Sequence, residues 1–160
     1  MIIKAKLTEK DYINVNFVLL YSRMFIKIFT GLMIFFVVFT LLAAVFLSIG
    51  SYSSLIGPVF MLLLFPLLTY FSAKKNYASN QRMTETIEYK FDDDNLVVKG
   101  ESFNSQLSWN KIHKVTQTKN WVLIWQNRQV ANPIPKRDIW EGQIEEIKII
   151  LDRHKIKNNL

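Results

Sequence analysis

The most chemically pointed polar feature of this sequence is Pro135-Lys136-Arg137. Two cations stand just ahead of a segment patterned as a helix, and helix N-termini attract anions. Lys136 and Arg137 are therefore candidates for holding an anionic headgroup or a partner's carboxylate. The competing reading is that they are solvated, or pair with Glu141 and with Asp92, Asp93 and Asp94. That acidic run has neither the 12-residue spacing nor the distal Glu of a calcium loop, and reads as a hairpin turn. His113 and His154 are far apart in sequence and lack acidic neighbours suited to a metal or a proton relay. The chain has no cysteine, which removes disulfides, thiolate metal sites and cysteine nucleophiles. Its five glycines form no phosphate-binding loop motif. No nucleophile–base or paired-carboxylate constellation appears. The expectation is a non-catalytic protein without cofactor or metal.

The elements that must position these residues are of two kinds. The chain has 160 residues, 50% hydrophobic and 21% charged, and its mean hydropathy is +0.13. That average hides a block, residues 28–73, with no Asp, Glu, Lys, Arg or His in 46 positions. In that block 33 of 46 residues are apolar, against 47 of 114 elsewhere. A soluble helix needs a charged face toward water, whereas a bilayer core about 30 Å thick needs about 20 apolar residues per crossing. Residues 28–49 and 55–73 supply two such runs, joined by the polar turn Gly50-Ser51-Tyr52-Ser53-Ser54. A transmembrane helical hairpin is expected; a cleaved signal sequence would be shorter and unaccompanied. Pro58 falls in the first turn of the second run, and Pro66 should kink it.

Residues 1–27 carry a net charge of +3; Lys74, Lys75 and Arg82 follow the second run, and the connecting loop is uncharged. Cations resist translocation, so both termini are expected in the cytoplasm and the Ser-rich loop outside. Arg23 and Lys27, four apart, and Lys74 with Lys75 should lie near phosphate headgroups. The remaining +4 of residues 74–160 is interleaved with acids, a pattern that argues against nucleic-acid binding.

Residues 1–27 should hold a short strand, from the alternation in MIIKAKL, and then a helix. Thr8-Glu9-Lys10-Asp11 resembles a capping box with Asp in place of Glu, so that helix should start near Glu9. Residues 74–83 read as a helical linker. Residues 84–157 read as a cytoplasmic domain of six short strands in an antiparallel meander, with turns at 92–95, 119–120 and 127–128. A terminal helix over 139–153 is expected, capped by Asp138, with Trp140, Ile144, Ile147 and Leu151 as its apolar stripe. Trp121 and Trp125 share one strand face with Leu123, opposite Val122 and Ile124. One helix cannot cover both faces of that strand, so the two indoles form a candidate interaction face. The expected class is α+β: a transmembrane hairpin plus a pleckstrin-homology-like (PH-like) antiparallel sheet or split barrel capped by a helix.

Two stretches carry a family resemblance. Leu107-Ser108-Trp109-Asn110-Lys111-Ile112-His113-Lys114-Val115 is similar to the L-x-W-x-x-I-x-K-V segment of YcxB-like bacterial membrane proteins. Ile134-Pro135-Lys136-Arg137-Asp138-Ile139 resembles that family's I-P-K-R-a-F signature, with Ile139 in place of the usual aromatic. The resemblance implies a PH-like cytoplasmic domain on a membrane anchor and carries no biochemical activity with it. The functional expectation is an interaction, tethering or sensing protein that contacts the bilayer, its anionic headgroups, and a protein partner or a second copy of itself. The alternatives are a small transporter or channel subunit, or an accessory or immunity protein acting by partner binding. The absence of any ionisable residue from the spans argues against ion-coupled transport.

Overall fold

The computed structural model describes residues 1–46 and 52–160. The fold is α+β, with two long apolar helices, two antiparallel sheets and a C-terminal helix. It divides into two compact units, one of residues 1–15 and 77–160, the other of residues 16–76.

The first unit begins with β1 (Ile2–Lys6), whose side chains alternate between exposed and buried. After β1, Thr8 N–H donates to Asp11 Oδ2 at 2.9 Å and Asp11 N–H donates to Thr8 Oγ1 at 3.2 Å. This is the reciprocal capping box expected from the sequence, and α1 (Glu9–Ser22) starts at Glu9. The chain re-enters the unit at Tyr77, whose hydroxyl donates to the Leu7 carbonyl at 3.0 Å.

Next come β2 (Thr86–Phe91), β3 (Asn95–Lys99) and β4 (Asn104–Ser108). A turn at Trp109–Lys111 follows, then β5 (Lys114–Gln117), β6 (Trp121–Trp125) and β7 (Ala131–Pro135). All six expected strands are present, but they do not form one meander. The turn at Trp109–Lys111 ends the run, and Trp109 is buried there with its indole N–H shared between the Asp92 and Asp93 carbonyls, both at 3.1 Å. The strands therefore fall into two sheets, ordered β1-β2-β3-β4 and β5-β6-β7, which do not close into a barrel. The sequence left open whether β1 joins a sheet. It pairs antiparallel with β2, Ile3 opposite Tyr89 and Ala5 opposite Ile87.

The core lies between the sheets and α4 (Gln143–Arg153). Ile3, Tyr89, Phe91, Leu96 and Val98 come from the first sheet, Val115, Val122, Ile124 and Ile134 from the second, and Ile147 and Leu151 from the helix. The Tyr89 hydroxyl donates to the Pro133 carbonyl at 3.2 Å, tying one sheet to the other. Burial pushes its pKa well above the ordinary phenol range.

Sheet edges are exposed to unwanted pairing unless covered. The edge of β5 takes the C-terminal tail: Val115 N–H donates to the Lys157 carbonyl at 2.9 Å, and Gln117 N–H donates to Asn159 Oδ1 at 2.8 Å. β7 carries Pro133 and Pro135, which suit an edge position.

The C-terminal helix departs from expectation at its start. Lys136–Asp138 forms a single tight turn, and α4 begins only at Gln143, after Gly142 in the left-handed region at φ +87°. Trp140 N–H donates to the Gln143 side-chain carbonyl at 2.8 Å, and the indole is 78% exposed. The buried stripe is thus the Ile147 and Leu151 part of the expected row, without Trp140.

The second unit contains α2 (Met24–Phe46), separated from α1 by a bend at Arg23, and α3 (Ile56–Ser79), preceded by a tight turn at Tyr52–Leu55. Gly50 and Ser51 of the expected polar turn lie outside the described residues. Both helices are long and apolar enough to cross a membrane. Pro66 lies inside α3. Phe29 and Phe65 meet edge to face at 5.6 Å. The hydroxyls of Thr40 and Thr69 donate to the carbonyls of Phe36 and Phe65, each at 2.9 Å. These bonds satisfy polar groups that hydrocarbon would leave without a partner.

Candidate functional site: a basic cleft in the sheet unit

Three segments distant in sequence meet around a cleft of about 280 Å³. The first turns of α1 contribute Lys10, Asp11 and Asn14. The turn between β5 and β6 contributes Lys119, Asn120 and Trp121. The end of β7 and the turn after it contribute Pro135, Lys136 and Arg137. Local rules explain each segment. Thr118 N–H donates to the Trp121 carbonyl at 2.8 Å, closing the β5–β6 turn. Trp121 pairs with Pro135 across the β6–β7 ladder, and Lys136 N–H donates to the Asn120 carbonyl at 2.9 Å. The indole N–H of Trp121 donates to Asn14 Oδ1 at 2.9 Å, joining α1 to the hairpin.

The two cations singled out by sequence both line this cleft, in different states. Arg137 is engaged by Asp11 through two parallel bonds, Nη1 to Oδ1 at 2.7 Å and Nη2 to Oδ2 at 2.6 Å. It also donates to the Lys6 carbonyl at 3.2 Å and lies 3.6 Å from Asp138. The guanidinium, with help from Thr8, holds the Asp11 carboxyl far below the usual carboxylate range. Arg137 therefore pairs with Asp11 and Asp138, while the acidic turn finds other cations: Asp92 pairs with Lys90 at 2.9 Å and Asp93 with Arg153 at 3.2 Å. Lys136 donates instead to a neutral group, Gln117 Oε1, at 2.6 Å.

Lys10, Lys119, Asn14 and Asn120 were not singled out by sequence. Lys10 read as flank charge, and Lys119-Asn120 read only as a turn. The candidate indole face is not open: Trp121 is 3% and Trp125 4% exposed, and all five residues of β6 are buried. Trp121 walls the cleft, whereas Trp125 donates to Thr116 Oγ1 at 2.8 Å with Lys114 Nζ 5.2 Å from its ring. At Trp121 the contact that sequence reasoning lacked is with the beginning of α1, through the Asn14–Trp121 bond. Arg23, Lys27, Lys74 and Lys75 are exposed, at the bend before α2, in its first turn and near the end of α3. They belong to the other unit.

Elsewhere the polar side chains singled out are held singly, and Glu85 Oε1 and His154 Nε2 are buried without a hydrogen-bond partner among the described residues. Glu85 is buried, and Ser102 N–H donates to it at 3.0 Å; hydrogen bonds from Ser102 lower its pKa. His154 stacks on Trp109 at 5.2 Å, and His113 N–H donates to the Trp125 carbonyl at 2.8 Å. Among the described residues no three His, Asp or Glu side chains gather where they could hold a metal ion.

The residues that carried the family resemblance run from β4 through the turn after β7. Residues 91–150 match the model of the YcxB-like protein family. The match covers the strands from β3 to β7 and much of α4. No curated protein and no solved structure matches the chain. The YcxB-like segment supplies Lys119, Trp121, Lys136 and Arg137 to the cleft, and the N-terminal lead-in, outside the match, supplies Lys10, Asp11 and Asn14.

Proposed function

We propose that this chain is a non-catalytic bacterial inner-membrane protein that holds a PH-like sheet unit at the cytoplasmic face and works by binding, as a tether or sensor. The observation that carries this reading is the pairing of β1 with β2. One strand precedes both apolar helices and the other follows them, so the chain leaves the sheet, passes through both helices and returns to the neighbouring strand. Such a path supports an even number of crossings with both termini on one side. The flanking cations Arg23, Lys27, Lys74 and Lys75, set against an uncharged connecting loop, support the cytoplasm as that side. The four-plus-three arrangement of strands with a C-terminal helix supports the PH-like assignment. The basic cleft supports a binding role.

The chain has no native cysteine, which makes the test direct. Single-cysteine variants Ser54→Cys and Asn159→Cys are probed in intact cells with a membrane-impermeant maleimide. Ser54→Cys should label at once and Asn159→Cys only after permeabilisation; the reverse pattern, or equal labelling of both, overturns the topology. Crosslinking mass spectrometry in the same cells should return contacts from the sheet unit to a reproducible partner or to a second copy. Their absence removes the tethering role.

A further inference from the structure

From the cleft of the sheet unit, and deepening the binding role just proposed, we infer that Lys10, Lys119, Lys136 and Asn14 form a binding site for a phosphate group. The inference comes from an inventory of donors and acceptors. The cleft holds four cations and one carboxylate. The carboxylate is spent: Asp11 Oδ1 accepts from Arg137, and Oδ2 accepts from Arg137 and from both the backbone and the hydroxyl of Thr8. Arg137 is spent by the same bonds. Lys10, Lys119 and Lys136 form no ion pair among the described residues.

Asn14 adds a directed donor. An indole N–H can only donate, so the Asn14 group facing Trp121 is its carbonyl oxygen, and its amide NH₂ is left for a ligand. The cleft therefore offers the ammonium groups of Lys10 and Lys119, the two N–H donors of Lys136 that remain beside its bond to Gln117 Oε1, and an amide donor, with its one anionic acceptor saturated. The complement of such a site is an anion that only accepts.

Phosphate fits better than carboxylate for two reasons. Planar carboxylates are best held by a guanidinium fork, and the cleft's one guanidinium is occupied. Ammonium groups act as point charges, which suit the several oxygens and near −2 charge of a phosphate monoester. The buried Trp121 and Pro135 form a low-dielectric wall on one side of the open cleft, which strengthens the cationic field there. A water occupies roughly 30 Å³, so a cleft of about 280 Å³ holds a phosphate together with part of the group that bears it.

Such a phosphate has two sources, a soluble phosphorylated compound or a phosphomonoester lipid headgroup, and the test separates them. The full chain is placed in nanodiscs of neutral phosphatidylcholine, and its lysines are acetylated under limiting reagent and quantified by mass spectrometry. One arm adds inorganic pyrophosphate; the other replaces part of the lipid with phosphatidic acid. In at least one arm Lys10, Lys119 and Lys136 should be protected together by about tenfold relative to Lys99 and Lys155, as charge-assisted hydrogen bonds imply. Protection by pyrophosphate alone assigns a soluble ligand, and protection by phosphatidic acid assigns the headgroup. The double variant K119Q/K136Q removes two charges and, with Lys136, one bond to Gln117. K119Q alone, whose side chain forms no ion pair among the described residues, is the control for fold. With a urea transition matching wild type, both variants should weaken the protection of Lys10, the double variant abolishing it. If neither arm protects the three lysines as a group, or if the double variant keeps full protection of Lys10, the site is overturned. The topology labelling and partner crosslinking test the membrane-tether reading separately, so that reading stands or falls without this one.

Discussion

The two units of this protein place the same kinds of apolar side chain in opposite ways, buried in one and exposed in the other. In the sheet unit Leu96, Ile134 and Ile147 are fully buried, while α2 has no buried residue and Phe39 is 60% exposed. Leu96 and Phe39 are both apolar; on the proposed placement of α2 in a bilayer, what differs is the medium each faces. In the sheet unit stability comes from excluding water, so each core side chain carries part of the folding free energy. In a bilayer the surrounding lipid is as apolar as the side chain, and exposure there costs nothing. If the helices lie in lipid as proposed, burial predicts mutational cost in one unit and not in the other.

The strongest way to break this comparison is to truncate one residue of each kind. Leu96→Ala should destabilise the sheet unit by about 2–5 kcal/mol, from lost transfer free energy and a cavity. Phe39→Ala should leave that transition unmoved. Urea unfolding of the full chain in detergent, followed by tryptophan fluorescence, reads this cleanly, because Trp109, Trp121, Trp125 and Trp140 all belong to the sheet unit. Equal shifts for the two variants would mean that the units do not fold under separate rules.

A smaller effect sharpens the boundary between lead-in and sheet. Asp11 caps α1 through Thr8 and binds Arg137, 126 residues away. The pair is partly solvated, with the Arg137 side chain 52% exposed, so screening discounts the ionic part. Asp11→Ala should cost about 1–2 kcal/mol, a capping bond plus a screened bidentate pair. The pH dependence has a definite sign. Because the folded state lowers the Asp11 pKa, its stabilisation is complete above the ordinary carboxylate value of about 4 and is lost as pH falls below it. The gap between wild type and variant should hold constant from pH 7 to about 5 and narrow in more acidic buffer. A gap that widens on acidification would assign the stabilisation to some other group.

How much of this was legible in the sequence depended on how far apart the cooperating residues lie. The capping box spans three positions, the strands repeat every second residue, and the spans are defined by composition, so local reading reaches all of them. The cleft is different. Asn14 meets Trp121 across 107 positions, and α1 reaches the hairpin only because β1 docks on β2 through a chain excursion that contains both apolar helices. Sequence patterning located Lys136 and Arg137 as a charged pair before a helix, and could not show that Asp11 would take Arg137 while Lys136 bonds Gln117 in a cleft that Lys10 and Lys119 also line. The same missing contact explains Trp121, which meets Asn14 of a segment whose own pattern reads as a membrane-proximal helix. Trp125 meets Thr116 and Lys114 of the neighbouring strand.

The smallest expected effect tests where a periodic pattern stops meaning burial. Trp140 continues the row of Ile144, Ile147 and Leu151, and by periodicity alone it would be a core anchor whose loss costs about 3–5 kcal/mol. In the structure the left-handed Gly142 intervenes between Trp140 and the first turn of α4, and the indole stands 78% exposed. Trp140→Ser should therefore shift the urea transition by no more than about 0.5 kcal/mol. Gly142→Ala should cost more than removing the whole indole, about 1–2 kcal/mol, because a left-handed residue with a Cβ is strained. The order of these two variants decides the matter. If Trp140→Ser is the costlier, the helix begins where the apolar row begins; if Gly142→Ala is, the backbone at one glycine sets the boundary and the row only extends past it.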